Sequence, residues 1–433
     1  MAIKVKRAVV RTAKSSSSCS MPGVWRAVTY SKGALVIFHS PKACAHVART
    51  MDIGSHFRAE ARFADEPYQE TVPMLTSLLT EYHSIFGGEK QLEKCIDYAV
   101  ATYKPKCIII ANSCVAGVIG DDVRSVAESM EEKHSLPIIS VPCSGFLDGE
   151  FFAGYYNAAK EMVDRFMTAQ PVEKDTVFLL GDYGGPRGQY AQEINRLVSY
   201  FGLQVKGQFP TYLSLEELNT LPTSSLNIVL GGRKHAAQSV EKVAILLKKR
   251  FGTLYYADNY PLGWSNTIKW LEGLGQILGK EAEAKQAVLA ESEKRSGLLQ
   301  KAQAVLQGKQ VVLCLGRRTS YFQPGWVIEL FTILGLQLRA VVLLDCYIAK
   351  DKQDMLQEVK MYTDAPIYDE QEATDVIVQS DLVFTTHELS MPSLRQLYLP
   401  MLPEAGVLGE LALIEKITRL VYRRGNKGGI VYG

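Results

Sequence analysis

Long apolar runs are missing from this chain. No stretch approaches the roughly 20 residues that a bilayer crossing requires, so a membrane-spanning helix is not expected. An excess of one charge is missing too: 48 Lys and Arg stand against 46 Asp and Glu, for a net charge of +2. That balance leaves no electrostatic footprint for nucleic acid. No Gly-x-x-x-x-Gly-Lys-Ser/Thr run occurs, so the chain has no triphosphate-binding loop of that kind and is not expected to hydrolyse ATP itself. Eight cysteines in 433 residues are too sparse for a disulfide scaffold. The basic N-terminus, Met1 to Arg7, runs into serines where a secretory leader would have its apolar core. The expected location is therefore the cytoplasm, where thiols stay reduced.

What is present is a composition of globular type, with 47% hydrophobic and 22% charged residues. The length suits about three domains at roughly 150 residues each. A strand, turn and helix pattern recurs along the chain. Residues 34–38, 106–111 and 136–141 read as buried strands, and residues 52–75 as irregular. Strands follow at 175–180, 226–230 and 253–256, then at 310–315, 340–344 and 381–385. Helices are expected over about 149–167, 189–201, 264–278, 281–306 and 406–422. Continuous β-branched runs such as Ile108-Ile109-Ile110 suit parallel strands covered on both faces. The expected class is α/β, with three Rossmann-like doubly wound parallel-sheet domains over 1–170, 171–300 and 301–433.

Four cysteines fall in settings that suggest chemistry. Cys19 ends the serine run, Cys44 lies in the first turn of a helix opened by Ser40-Pro41, Cys114 follows the 106–111 strand, and Cys143 follows the 136–141 strand. Thiolates after parallel strands converge on the sheet edge where open α/β folds place ligands, and iron–sulfur clusters are held mainly by such thiolates. Taken singly, each cysteine also fits a small buried hydrophobe. Cys95 and Cys107 read as core. His39 and His46 flank Cys44 as candidate hydrogen-bond donors around a cluster.

A second group is basic. Arg187, Arg233, Lys234, His235, Arg317, Arg318 and His387 all follow expected strands of the second and third units. Strand ends that face one another would put them in one cleft able to hold an anionic cluster or carboxylated substrate; solvated surface charge is the alternative. Gly181-Asp-Tyr-Gly-Gly-Pro-Arg-Gly188 resembles a phosphate-cradling turn and equally suits a tight turn that needs glycine.

Taken in order, Cys19-Ser-Met-Pro-Gly23, His39-Ser-Pro-Lys-Ala-Cys44, Gly87-Gly-Glu-Lys-Gln-Leu92, Cys114-Val-Ala-Gly-Val-Ile-Gly-Asp-Asp122 and Val141-Pro-Cys-Ser-Gly-Phe146 resemble the component 1 family of nitrogenases and nitrogenase-like reductases. Weaker agreement extends over Gly181-Asp-Tyr183, Pro261-Leu-Gly263 and Leu315-Gly-Arg317. The resemblance implies a pseudo-symmetric heterotetramer with a homologous partner subunit. It also implies an iron–sulfur cluster of 4Fe-4S or larger P-cluster type, shared across the subunit interface and held on this side by Cys19, Cys44 and Cys114. The implied electron donor is a separate ATP-hydrolysing iron protein. Cys143 lies near a position that is serine or cysteine in relatives. The chain departs from the family's cofactor-bearing catalytic subunits: no cysteine follows the 226–230 strand, and His387 is not in the expected setting. The expected function is a subunit of a nitrogenase-like oxidoreductase that relays electrons to a substrate or cofactor. Alternatives are a cofactor-assembly scaffold without turnover and a binding protein that has lost its cluster.

Overall fold

The computed structural model describes residues 19–50, 71–147, 150–231, 234–316, 323–344, 349–391, 393–399, 403–423 and 430–431. Helix α1 (Met21–Val28) precedes a first sheet of β1 (Ala34–His39), β2 (Met74–Thr76), β3 (Cys107–Asn112) and β4 (Ile138–Val141). Between these strands run α2 (residues 42–50), α3 (Glu81–Phe86), α4 (Glu89–Tyr103), α5 (Cys114–Ile119) and α6 (Val123–His134). Helix α7 (Phe151–Phe166) leads to β5 (Glu173–Leu180), α8 (Gln189–Ser199), β6 (Gln204–Phe209), β7 (Ser224–Val229), α9 (Lys234–Phe251) and β8 (Leu254–Tyr256). The long pair α10 (Trp264–Leu278) and α11 (Glu281–Leu306) carries the chain onward. The last set is β9 (Gln310–Leu315), α12 (Pro324–Ile333), β10 (Gln337–Leu343), α13 (Ala349–Lys360), β11 (Ile367–Asp369), α14 (Thr374–Val378), β12 (Leu382–Thr385), β13 (Gln396–Tyr398), α15 (Gly406–Tyr422) and β14 (Ile430–Val431).

The sheets have strand orders β2-β1-β3-β4, β6-β5-β7-β8 and β11-β10-β9-β12-β13-β14, and every pairing is parallel. The α/β class and the Rossmann-like arrangement follow directly. Each sheet reverses its direction of winding once, between β1 and β3, β5 and β7, and β9 and β12. Beyond the carboxyl ends of those pairs the outgoing loops part, which opens a crevice.

The apolar interior is shared between sheets. One core joins Phe38, Ile109 and Tyr155 of the first unit to Phe178, Phe209 and Leu213 of the second. Another joins Leu179, Ile228 and Trp270 to Leu313, Val341 and Phe384. The second sheet is thus welded to both neighbours, and burying hydrophobic surface at each boundary resists their separation.

Helices α1 and α7 cross at backbone contact. A Cβ on Gly23 would stand 1.8 Å from the Phe151 carbonyl oxygen, and one on Gly154 would stand 1.9 Å from that of Ser20. Glycine is required at both places because the obstacle is main chain. Gly154→Ala is expected to destabilise the protein by about 1–3 kcal/mol through overpacking, read as a lower urea midpoint. An unchanged midpoint would show that α1 can lift away from α7 without cost.

The structure adds elements to the sequence reading. Of residues 52–75, read as irregular, those from 71 onward are described, and the last two begin β2 (Met74–Thr76). Three residues on a sheet edge are too few to show an alternating pattern. A short helix, α5, which the sequence reading did not include, forms after β3, where Ser113 caps it by accepting the Ala116 N–H at 3.2 Å. Strands β6, β11, β13 and β14 were not read from the sequence either. No helix among the described residues is long and apolar enough to cross a membrane.

Candidate metal centre at the first sheet's edge

Cys44 and Cys114 stand on either side of the first crevice, Cys44 in the first turn of α2 after β1 and Cys114 as the first residue of α5 after β3. Cys143 follows β4. Cys19 is held beside them by the segment that opens α1: the Ser20 N–H donates to the Gly145 carbonyl at 3.2 Å. The Ser20 hydroxyl donates to the same carbonyl at 3.1 Å and to Cys143 Sγ at 3.2 Å. Gly145 in turn lies against the Cys114 amide, where a Cβ would come within 2.8 Å. Cys143 is buried, and its thiol donates to the Asn112 carbonyl at 3.3 Å.

The thiols are near enough to act on one another. Burial pushes Cys19 up to about 11; a hydrogen bond from the Met21 amide opposes this, and the neighbouring Cys143, Cys44 and Cys114 thiols add to it. Cys44 is raised as well, by burial first and by Cys114 next. In the metal-free chain Cys19 and Cys44 keep their protons, and iron must displace them to bind. Cys19, Cys44 and Cys114 are all half-buried, whereas Cys107 and Cys314 are fully buried. Among the described residues no group of three or more His, Cys, Asp or Glu is placed to hold a single metal ion. A cluster differs from a single ion because its thiolates attach to separate irons and need not meet at a point. The three half-buried thiols fit such a group as a partial ligand set. Val118, Phe146 and Leu147 are exposed on the elements that carry Cys114 and Cys143. Tyr82, Ile85 and Phe86 are exposed on α3, which packs against α5.

Two sequence features that looked independent are one contact. The Gly88 N–H donates to Asp121 Oδ1 at 2.8 Å, and the Asp122 N–H donates to Glu89 Oε1 at 2.8 Å. Asp122 also caps α6 by accepting the Ser125 N–H at 3.0 Å. Both nitrogens of the His39 ring are engaged, by Ser77 and Asp121, so His39 bonds to neither thiol. His46 is exposed on α2. Cys95 is half-buried against a core that includes Leu92, Ile96 and Ala99.

The basic group is only partly visible. Arg233, Arg317 and Arg318 lie outside the described residues, as do the side chains of Lys234 and His235 at the start of α9. Arg187 is exposed in the turn after β5. His387 follows β12 at the third crevice, where Thr386 Oγ1 lies 2.9 Å from its Nδ1 and accepts the Gly316 N–H at 2.7 Å. The turn after β5 explains its own glycines, since Gly181, Gly184 and Gly185 have φ of +112°, +88° and +78°. Its Asp182 carboxylate accepts from Arg26 Nε and from the Tyr212 hydroxyl, each at 2.5 Å. Arg26 lies on α1, seven residues beyond Cys19, so this contact ties the thiol-bearing segment to the second sheet. Arg26 and Asp182 are 156 positions apart, and no local pattern signals their pairing.

A family model described as nitrogenase component 1 type oxidoreductase matches residues 19–392. The chain belongs to that family. Among curated proteins it is 30% identical over 341 residues to the nitrogenase iron-molybdenum cofactor biosynthesis protein NifE of Clostridium pasteurianum, across 77% of this chain and 70% of that one. It is 24% identical over 266 residues to the nitrogenase molybdenum-iron protein alpha chain of Methanosarcina barkeri, across 60% of this chain and 48% of that one. The solved structure of nitrogenase Cp1 at pH 6.5 superposes with a TM-score of 0.64 at 16% identity, covering 96% of this chain and 91% of that chain. The three-sheet arrangement is therefore a component 1 fold, and the half-buried thiols lie inside the matched region.

Proposed function

We propose that this chain is one subunit of a nitrogenase-like oxidoreductase in which Cys19, Cys44 and Cys114 hold one side of an iron–sulfur cluster at the interface with a homologous subunit. A bound cluster would supply one-electron transfer. The chain's own part is to present thiolates and to surround them with backbone donors such as the Met21 amide. The electron donor in this reading is an ATP-hydrolysing iron protein. The acceptor is an anionic substrate or cofactor in the cleft, with Arg187, Arg233, His235, Arg317, Arg318 and His387 as candidate binding groups. The observation that carries the proposal is the convergence of three half-buried thiols, with exposed Val118, Phe146 and Leu147 beside them, at one sheet edge. An incomplete ligand set next to uncovered apolar surface suits completion by a partner.

A second reading, an assembly scaffold that carries a maturing cofactor without turnover, is favoured by two observations. One of the similar relatives is named as a cofactor biosynthesis protein, and β7 is followed by Leu230-Gly-Gly-Arg233, with no cysteine. Anaerobic purification with the partner subunit, then iron and sulfide analysis and EPR, tests the cluster common to both readings. Substrate turnover with the iron protein and ATP favours the enzyme; cofactor transfer without turnover favours the scaffold. A complex free of iron would exclude both.

A further inference from the structure

We propose that His39 is a positioning residue, held by Asp121, that sets the placement of Cys114 relative to Cys44. The inference rests on the cluster reading above and assigns residues that do not ligate. Strands β1 and β3 are adjacent and pair His39 with Asn112. The His39 carbonyl accepts the Ser113 N–H at 3.2 Å, which holds the residue just before Cys114. Its ring Nε2 lies 2.9 Å from Asp121 Oδ2, just beyond the far end of α5. One residue thus grips the Cys114 helix at both ends.

The same ring reaches the other thiol's helix. Nδ1 lies 2.9 Å from Ser77 Oγ, and that oxygen accepts the Ser40 N–H at 3.2 Å, two residues ahead of α2. The hydrogen bonds close without conflict. An ionised Asp121 only accepts, so Nε2 carries the ring proton, Nδ1 accepts from the Ser77 hydroxyl, and the Ser77 lone pair remains for Ser40. Burial lowers the His39 pKa, in keeping with a neutral ring that has one donor and one acceptor. Asp121 is fixed in turn by the Gly88 N–H. A Cβ on Gly88 would stand 2.6 Å from Asp121 Oδ2 and 3.1 Å from His39 Cε1. The Ser77, His39, Asp121 series has the residue types of a hydrolytic triad, but Ser77 and His39 are both fully buried, so no substrate reaches it. Its effect is on geometry.

Without the ring contact, the backbone bond at Ser113 remains while the far end of α5 is released, so Cys114 shifts with the thiol count unchanged. Partners behind a metal ligand typically set about 10- to 100-fold in metal affinity. The test uses the complex with its partner subunit, purified anaerobically, carrying His39→Gln, Asp121→Asn or Gly88→Ala. The expected result is an altered EPR spectrum and midpoint potential, with iron lost to chelator about 10- to 100-fold more readily. Gly88→Ala should reproduce this although it removes no hydrogen-bonding side chain. Should His39→Gln fail to fold, the other two carry the test. Arg196→Met, in the second unit, serves as a control for lost stability and should keep the wild-type spectrum. Wild-type spectra and iron retention in the folded variants, or an equal change in the Arg196 control, would overturn the positioning role. A wild-type complex without iron would instead sink the cluster reading itself.

Discussion

Replacing Cys44 or Cys114 by alanine is expected to strip iron from the anaerobic complex and abolish its cluster EPR signal, while Cys107→Ala and Cys314→Ala leave the iron in place. The contrast follows from position. Cys107 opens β3 and Cys314 lies within β9, both with no exposed surface, and burial pushes the Cys107 thiol up to about 12. Such thiols pack as small hydrophobes, and their loss leaves only a small cavity. Cys44 and Cys114 are half-buried at helix starts beside the sheet edge, where backbone amides favour a thiolate once a metal displaces the proton. Losing a direct ligand should cost more than the about 10- to 100-fold typical of an outer partner. Full iron content and an unchanged signal in Cys44→Ala would remove the central support for the proposed function.

The largest stability effect is expected from Arg196→Met. Arg196 forms two forks: Nε and Nη2 donate to the Glu193 carboxylate, both at 2.7 Å, and Nη1 and Nη2 donate to Glu291, both at 2.6 Å. The carboxylates are 1% and 0% exposed. Without the guanidinium two acids are left buried against each other, a loss of about 3–5 kcal/mol for a broken buried pair. The lower end is expected, because Glu291 keeps the Tyr200 hydroxyl at 2.7 Å and Lys294 at 3.0 Å. Burial alone would raise Glu291, but Arg196, Tyr200 and Lys294 outweigh it and hold the carboxyl below its ordinary 4.5. For an acid with a depressed pKa, the stabilisation is complete above the unfolded value and is lost as pH falls through the folded one. The gap between wild type and variant should therefore be widest near neutral pH and close below about pH 4.5. Denaturant unfolding across that range measures it. A variant within about 0.5 kcal/mol of wild type at pH 7, the scale of a bland surface change, would show the forks to be dispensable. Glu193 also accepts the Leu408 N–H at 3.3 Å, so the effect should reach the C-terminal helix.

Much of the architecture was legible because burial writes itself into composition. Runs such as Leu35-Val36-Ile37 and Ile108-Ile109-Ile110 announce strands covered on both faces. The bounds of α10, α11 and α15 coincide with the helical periods read from the chain. Edge strands β2 and β11 escaped because three residues carry no period. The Cys114 helix escaped because a single cap decided it. At the candidate centre the cysteines stood out by residue type and by their place after strands. The supporting groups did not. Ser77 is one serine among many until folding brings it within 2.9 Å of His39, 38 positions away. Arg26 and Asp182 are ordinary surface-type charges until two units meet.

Residue chemistry and local pattern alone determined the α/β class, the repeated strand and helix order, and which cysteines were candidates for iron. These properties depend on hydrophobic period and on the nature of the side chain, both of which are local. The tertiary structure alone decided which thiols share a neighbourhood, that the glycine and aspartate motifs are a single contact, and that His39 serves the scaffold. Those outcomes depend on distances between segments far apart in the chain, and such distances are set only when the sheets stack and exclude water.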